Sequence, residues 1–391
     1  MKILILTFYY QPDLCAGSFR ATAFARELCR ALGEDSHIEI VTTLPNRYQS
    51  YANEAPMVEI CGNATINRIK LPIHNSGMLD QSLAFAKFAF ETQRYSKGKD
   101  YDIVFATSSR LFTAFLGALI ARKKKTKLYL DVRDIFTDTL KDVLKNRFTK
   151  LLMPVLLQVE KYTIKSACRV NLVSEGFTEY FKTLAPEQTY SFFPNGIDDE
   201  FIGYDFTKLN NTSRKIILYA GNIGEGQGLE KIIPGCAKAL EDSCEFWVIG
   251  DGGTKAKLET ALQQGGVNNV RLVKPVGRAD LLELYAQSDF LFMHLNNYKA
   301  FEKVLPSKIF EYAATGKPIL AGVGGFARSF IEKQITGALV FEPCNINDFL
   351  LKFNAMADGT VLRPEFIEKF TRKNIMSKMA REFVACIRKH D

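Results

Sequence analysis

The chain has 391 residues, of which 47% are hydrophobic and 24% charged, with a formal net charge of +8 at pH 7. This length exceeds what one hydrophobic core usually supports, so two domains are expected. The longest uncharged helical candidates, residues 111–121 and 151–159, fall short of the roughly 18 residues that span a bilayer. The apolar run at residues 3–6 is too short for a secretory signal. A soluble or peripheral protein is therefore expected.

Eight cysteines and four histidines are scattered without a CxxC pair or any spacing typical of metal ligands. We expect reduced, buried thiols in a cytosolic protein and no metal site made of Cys and His. Asp100 and Asp102 form an Asp-x-Asp pattern that can bind metal. Since they open a candidate strand, where Asp is a common turn residue, no metal is expected there either.

The first half alternates short apolar runs with helical stretches. Residues 2–8 precede a small-residue loop around Gly17, a helix is predicted over 19–32, and a second strand over 38–43. Strand, glycine-bearing loop, helix and strand make the βαβ unit of a parallel sheet. Further buried strands are predicted at 66–71, 103–107, 128–132 and 170–173.

The second half repeats this alternation. Strands are predicted at 216–220, 246–249, 270–273, 290–293, 319–321 and 339–341. Turn residues cluster at 185–213. The sequence thus predicts two α/β domains with parallel sheets, residues 1–200 and 201–374, and a final helix at about 375–391 that crosses back to the first domain.

The segment PSKIFEYAATGKP, residues 306–318, has the strongest signature. Pro306 pre-sets the first turn of a helix that begins with Ser307 and Lys308, and Gly316 ends it. Backbone N–H groups and Lys308 at that helix start suit a phosphate, and Glu311 one turn on can accept hydroxyl hydrogen bonds from a ribose. Together they suggest a nucleoside diphosphate. An ordinary amphipathic helix with an unrelated Lys and Glu is the alternative.

The segment YAGNIGEGQG, residues 219–228, places glycines directly after a predicted strand. Such a loop lets backbone N–H groups approach a phosphate, although an ordinary loop explains it equally well. The glycine spacing departs from G-x-G-x-x-G, and no acidic residue follows a second strand at the right distance. A dinucleotide site is therefore disfavoured.

Charged residues also end a strand of the first domain, in Asp131-Val132-Arg133-Asp134. Ligands bind beyond the carboxyl ends of parallel strands, so a polar functional role for Arg133 and Asp134 is one interpretation, and a structural ion pair is the other.

Positive charge is concentrated in the first half. Residues 85–170 hold 18 Lys and Arg against eight Asp and Glu. A helical stretch at 142–165, which Pro154 is expected to kink or split, combines apolar and basic positions. This pattern indicates an anionic partner: a membrane surface, a nucleic acid or a phosphorylated lipid. A surface helix packed on the sheet remains the alternative.

Taken together, DVRD, FPNGID (193–198), YAGNIGEGQGLE, GDGGTKAKLE and PSKIFEYAATGKP resemble the retaining glycosyltransferases of family 4, of the bacterial surface-polysaccharide and O-antigen type. The resemblance covers nearly the whole chain. It implies the GT-B fold, with two Rossmann-like domains facing across a cleft. It also implies a nucleotide-sugar donor, usually UDP-linked, transfer with retention, and no metal cofactor.

The resemblance also implies roles for individual residues. Glu311 matches the glutamate that holds the ribose, while Val276 and Arg278 fall where the family contacts the base and donor. Donor contacts are further implied for Gly17, Gly221, Asn222, Gln227, Pro306, Ser307 and Lys308.

Four positions depart from the family pattern. The family's first motif glutamate corresponds to Lys303, with Glu302 one residue away, and its Arg/Lys pair to Asn222 and Gln227. Its histidine in the first domain corresponds to Arg133. Lys308 would then supply the charge at the diphosphate.

We therefore predict a glycosyltransferase of cell-envelope polysaccharide synthesis, cytoplasmic and peripheral on the inner face of the membrane. Lys308, Arg133 and Asp134 are the predicted catalytic residues. The predicted partners are a UDP-sugar, a lipid-diphosphate-linked or saccharide acceptor and an anionic membrane surface, but no nucleic acid. A UDP-sugar 2-epimerase and a non-catalytic nucleotide-sugar-binding subunit are the alternatives.

Overall fold

The structure is a computed structural model that describes residues 1–46, 54–72, 78–108, 111–138, 147–207 and 213–388. The chain forms two compact units. The first unit comprises Met1–Asn195 and Arg372–Asp391, and the second unit comprises Gly196–Thr371. The boundaries predicted from the sequence were residues 200 and 374.

The first unit contains, in chain order, β1 (Lys2–Leu6), α1 (Ala16–Leu32), β2 (His37–Thr43), β3 (Val58–Cys61), β4 (Ala64–Ile69), α2 (Met78–Ser96), β5 (Ile103–Thr107), α3 (Leu111–Lys124), β6 (Lys127–Val132), α4 (Arg147–Lys165), β7 (Arg169–Leu172), α5 (Thr178–Leu184) and β8 (Tyr190–Ser191). The sheet order is β3-β4-β2-β1-β5-β6-β7-β8. All neighbours pair in parallel except β3 and β4, which are antiparallel.

The second unit contains β9 (Lys215–Ala220), α6 (Leu229–Ala239), β10 (Cys244–Ile249), α7 (Lys255–Gln264), β11 (Val270–Val273), α8 (Arg278–Gln287), β12 (Phe290–His294), α9 (Lys308–Ala314), β13 (Ile319–Gly322), α10 (Gly325–Gln334), β14 (Ala338–Phe341), α11 (Ile346–Ala355) and α12 (Pro364–Phe370). Its sheet is wholly parallel, in the order β11-β10-β9-β12-β13-β14. The prediction of two α/β units with parallel sheets is confirmed.

The last helix, α13 (Arg372–Arg388), belongs to the first unit although it follows the second in the chain. It packs along α1, and the ring of Phe383 meets those of Phe24, Phe105 and Tyr129. These side chains are almost fully buried, so the helix completes the hydrophobic core of the sheet to which it returns.

Some local predictions differ from the structure. The edge strand β3 was missed because its side chains are mostly exposed and carry no buried apolar signature. Residues 142–146 of the predicted helix lie outside the described residues. From Arg147 the helix runs continuously through Pro154 to Lys165, so Pro154 does not split it.

The expectation that the cysteines are buried is wrong for several of them. Cys61 and Cys168 are exposed, while Cys236, Cys244 and Cys386 are buried. Apolar neighbours in the sequence do not decide whether a small thiol at the end of a strand faces solvent. Within the described ranges, no helix is long and apolar enough to cross a membrane.

Candidate functional site

In the second unit, the glycine loop 221–228 follows β9 and lies against Lys308. Gly221 has φ = 147°, a conformation that favours glycine, and a Cβ there would overlap the end of the Lys308 side chain. The Lys308 Nζ also lies 5.2 Å from the centroid of the Tyr219 ring. A cation is therefore placed directly over the backbone of the glycine loop, as a phosphate site requires.

Helix α9 carries Lys308, and Tyr312 in the same helix bonds it to the sheet. The buried Tyr312 hydroxyl accepts a hydrogen bond from the Ala220 N–H (3.1 Å) and donates one to the Phe292 carbonyl (3.2 Å). These bonds hold α9 against the last residue of β9 and the middle of β12. Helix α9 has seven residues, and Lys308 is the first of them.

Glu311 is joined to Arg278, the first residue of α8. The Arg278 Nη1 donates to Glu311 Oε1 at 3.1 Å, Nε lies 3.1 Å from Glu200, and Nη2 pairs closely with Asp198. Burial alone would lower the pKa of Arg278, but the three carboxylates raise it above its usual value. Arg278 is thus a fixed cation that orients Glu311.

Three other predicted donor residues lie nearby on the chain. Val276 is half-buried in the loop before α8, and Pro306 and Ser307 are half-buried directly before α9. Ser307 occupies the N-cap position of α9 but makes no side-chain capping bond.

The positions of the family's Arg/Lys pair hold a neutral pair in this chain. The Asn222 side chain donates to Gln227 Oε1 at 2.9 Å. The Gln227 carbonyl lies 2.6 Å from His294 Nδ1, and the Cys344 N–H donates to His294 Nε2 at 2.8 Å. Because Nε2 accepts, Nδ1 carries the proton and donates. Burial lowers the pKa of His294 to about 4, so the ring is neutral and clamps the loop.

The segment with Glu302 and Lys303, where the family pattern has its first glutamate, borders a separate hollow. Glu302 packs against Gly325 and lines a space of about 240 Å³ together with Tyr298, Phe301 and Arg328. Lys303 ends the short 3₁₀ helix Lys299–Lys303. None of the predicted donor residues lines this hollow.

In the first unit, Asp131 forms the structural ion pair. Its carboxylate accepts two 2.8 Å hydrogen bonds from Arg20 and one of 2.7 Å from Asn171, all out of solvent. Burial acts to raise the pKa of Asp131, but the charge of Arg20 and these bonds hold it below its usual value. Asp131, for which the sequence predicted no role, is therefore part of a structural ion pair.

Arg133 directly follows β6, and its guanidinium group lies beside Gly17 in the first turn of α1. A Cβ at Gly17 would lie 3.1 Å from Arg133 Nη1, and the Arg133 N–H donates to Ser108 Oγ at 2.9 Å. Nη1 is shielded from solvent and has no hydrogen-bond partner among the described residues. Burial, together with the charge of Arg20, lowers the pKa of Arg133. Asp134 is exposed beside it.

Several residues that shape these sites were missed from the sequence. Tyr312 and His294 could have been suspected, since a buried Tyr or His requires hydrogen-bond partners. Arg20 and Asn171 carry no local signal, because their partner Asp131 is remote in the chain.

Asp102, considered as a metal ligand, has a structural role. Its carboxylate accepts a 2.8 Å hydrogen bond from the Lys2 N–H at the start of β1. Within the described residues, no group of three or more His, Cys, Asp or Glu side chains could hold a metal ion.

Comparison with known proteins identifies the class. Residues 204–373, which lie almost wholly in the second unit, match the family model "Glycosyl transferases group 1". The predicted resemblance to glycosyltransferases is confirmed by this match.

One sequence relative and two solved structures illustrate the similarity. The chain is 36% identical over 104 residues, 27% of its length, to the putative colanic acid biosynthesis glycosyl transferase WcaI of Escherichia coli K12; the match spans about a quarter (25%) of that relative. Among solved structures, WaaG, a glycosyltransferase of lipopolysaccharide biosynthesis, superposes with a TM-score of 0.62 at 15% identity, covering 100% of this chain and 95% of WaaG. Anabaena Alr3699/HepE in complex with UDP gives 0.60 at 14%, covering 100% and 98%. The GT-B fold is confirmed.

Proposed function

We propose that this protein transfers a sugar from a UDP-sugar to a lipid-linked or saccharide acceptor in the synthesis of a cell-envelope polysaccharide. The observation that carries the proposal is the placement of Lys308 over Gly221 in the region that matches the group 1 model. Glu311 lies on the same short helix as Lys308, and Arg278 orients it. The UDP complex of the Anabaena relative and the polysaccharide relatives support the donor and the pathway.

In this proposal Lys308 stabilises the charge that grows on the leaving UDP. The glycine loop adds backbone N–H groups, and Glu311 accepts hydrogen bonds from the ribose hydroxyls. Asn222 and Gln227 are neutral and bonded to each other, so they position the loop and add no charge. Val276, Arg278, Pro306 and Ser307 complete the donor contacts.

Retention is proposed from the family resemblance, and no side chain is assigned as nucleophile. The leaving phosphate deprotonates the acceptor hydroxyl on the same face of the sugar. The diphosphate is held by Lys308 and backbone groups, so the reaction is proposed to need no metal ion.

The first unit is proposed to orient the acceptor or the transferred sugar through Arg133 and Asp134. The shielded Arg133 Nη1 beside Gly17 can donate a hydrogen bond to a ligand oxygen. Gly17 leaves room there because a side chain would crowd the guanidinium.

Peripheral docking on the cytoplasmic face of the membrane is proposed for helices α2, α3 and α4. Helix α3 packs against both α2 and α4, and the three expose the large apolar side chains of Leu83, Phe90, Phe112, Leu119, Leu152 and Val155. Exposed basic side chains on the same helices include Lys87, Arg94, Arg122, Lys123 and Lys161. Apolar insertion and attraction to anionic lipid would act together.

The decisive experiment incubates the protein with a panel of UDP-sugars and measures UDP release with and without a lipid-diphosphate acceptor. Acceptor-dependent release with a glycosylated product supports the proposal. Epimerised UDP-sugar without acceptor would indicate the epimerase, and UDP binding without turnover would indicate a binding subunit.

Two variants test the donor residues. Lys308→Ala should abolish transfer, and Glu311→Ala should weaken UDP binding about ten- to a hundredfold, as expected for losing a charge-assisted hydrogen bond of roughly 1.5–3 kcal/mol. Lys215→Ala is the matched control, because Lys215 lies at the opposite end of β9 and pairs with Asp358. UDP affinity equal to wild type in both donor variants would refute the assignment.

A further inference from the structure

The hollow beside Glu302 lies in the second unit, where β12, β13 and β14 end. Its walls are the segment that follows β12, the start of α10 and the residues directly after β14, and its volume is about 240 Å³. This volume falls just below the range of roughly 300–1,000 Å³ that is typical of pockets for drug-sized ligands. The hollow therefore suits a single sugar ring better than a complete nucleotide.

The charged side chains of the hollow favour a neutral ligand. Glu302 and Glu342 contribute two carboxylates and Arg328 contributes one guanidinium, so these charges sum to −1. Arg328 Nη2 lies 2.7 Å from Glu342 Oε1, and the two charges compensate each other. A phosphate or carboxylate in the hollow would be repelled by Glu302. An anionic ligand is therefore disfavoured here, in contrast to the site at Lys308.

Open hydrogen-bonding groups line the same hollow. The side chains of Asn297 and Glu302 form no hydrogen bond or ion pair within the part of the chain that the structure describes. The Arg328 guanidinium carries several N–H donors, and its bond to Glu342 uses one of them. A carboxylate acceptor opposite amide and guanidinium donors can bind the neighbouring hydroxyl groups of a sugar, which both donate and accept.

Two aromatic rings form a further wall. Tyr298 and Phe301 are half-buried, and their ring centroids lie 5.8 Å apart. The face of an aromatic ring carries partial negative charge, so it favours the C–H groups on one side of a sugar ring. The same two residues contact the glycine loop. The Tyr298 hydroxyl donates to Glu225 Oε1 at 2.9 Å, and a Cβ at Gly226 would lie 3.0 Å from the Phe301 ring. One wall of the hollow thus also holds the glycine loop.

We propose that this hollow binds one neutral sugar unit of a saccharide chain, at a site distinct from that of the UDP-sugar. Glu302 accepts hydrogen bonds from the sugar hydroxyls, Arg328 and Asn297 donate to them, and the sugar ring packs on the two aromatic rings. The proposal rests on the proposed function only for the source of the sugar, which is the polysaccharide that the reaction extends. Binding itself requires neither UDP nor turnover, so it can be measured even where transfer is absent.

The test measures the binding of methyl glycosides to the full chain by saturation-transfer NMR, without donor or acceptor. The neutral probes are the methyl glycosides of glucose, galactose, mannose, rhamnose and N-acetylglucosamine, and methyl glucuronide is the anionic probe. Wild type should bind at least one neutral probe, and it should bind methyl glucuronide more weakly because Glu302 and Glu342 repel its carboxylate. Saturating UDP or UDP-sugar should leave the signal of the neutral probe unchanged.

Variants of the hollow test where the probe binds. Glu302→Ala and Arg328→Ala should each weaken binding of the neutral probe about tenfold or more, since each removes a charge-assisted hydrogen bond. Glu302 is exposed and Arg328 half-buried, so both variants should keep the circular dichroism and the UDP affinity of wild type. In Glu302→Gln, methyl glucuronide should bind more tightly than to wild type. Glu332→Ala is the matched control, because this exposed carboxylate of α10 does not line the hollow.

The absence of binding of every neutral probe to wild type would overturn the proposal. So would equal binding by wild type and both alanine variants, because the sugar would then lie elsewhere. Displacement of the probe by UDP-sugar but not by UDP would also overturn it, since the hollow would then hold the sugar of the donor. If UDP release is never observed but the probe binds and the hollow variants lose it, the saccharide site is supported and the proposed function alone fails.

Discussion

The contact between Gly221 and Lys308 predicts that two substitutions will act through one interaction. In Gly221→Ala, the new Cβ would occupy the space of the Lys308 side-chain end and lie 3.5 Å from Tyr219 Oη. The backbone at φ = 147° adds strain of about 1–3 kcal/mol. We therefore expect lower stability and, separately, a displaced ammonium group.

The loss of affinity for UDP can be estimated from the contribution of the Lys308 ammonium group. Removing Lys308 costs a charge-assisted bond of roughly 1.5–3 kcal/mol, which weakens UDP binding about ten- to a hundredfold. Gly221→Ala should produce most of the same loss. In the Lys308→Ala background it should then cost less than about 0.5 kcal/mol of binding, because the group it displaces is gone.

Titration calorimetry of UDP on wild type, both single variants and the double variant provides the measurement. Gly253→Ala is the matched control, since Gly253 has an ordinary φ and an added Cβ would meet no atom of the described residues within 4 Å. Additive losses in the double variant would refute the reasoning, because they would mean that Gly221 contacts the ligand independently of Lys308.

Three further outcomes are expected. Chelation by EDTA should leave transfer unchanged, and a strict need for added Mn²⁺ or Mg²⁺ would contradict the metal-free donor site. In liposome flotation, the variant with Phe90 and Val155 changed to Glu should lose binding to anionic vesicles. If wild type bound neutral and anionic vesicles equally, the proposed attraction of its basic side chains to anionic lipid would be contradicted. Burial lowers the pKa of His294 to about 4, so the stability that depends on its neutral form is complete above pH 6.5 and is lost as the pH falls toward 4. The difference corresponds to roughly 3 kcal/mol. His294→Asn should flatten that part of the pH dependence of the unfolding free energy in urea; an unchanged slope would exclude His294 as its source.

The parallel sheets could be predicted because their strands are buried on both faces. Strands such as β5, in which every residue is buried, appear in the sequence as uncharged apolar runs bounded by turn residues. The exposed edge strand β3 has no such pattern, and it was missed. The strands could thus be predicted from their burial and not from an intrinsic preference for strand structure.

The candidate donor site was predictable only in part. Pro306, Lys308 and Glu311 share one short segment, so their spacing indicated a common ligand. Their supports involve distant parts of the chain: Tyr312 bonds to the backbone of β9 and β12, and Arg278 pairs with Asp198 and Glu200 as well as with Glu311. Contacts between residues far apart in the chain leave no spacing to recognise.

The ends of the second unit lie side by side. Ile197 and Thr371 form a parallel β-bridge, and the Ile197 N–H donates to the Phe370 carbonyl at 2.8 Å. Asn195 and Arg372, which flank these ends, are within one or two residues of the bridge, and consecutive Cα atoms are only 3.8 Å apart. In the chain, the second unit is therefore an insertion whose two ends are close together. If residues 196–371 were removed, the two remaining ends would lie close together. A few glycines between 195 and 372 could then join the first unit to its last helix, α13.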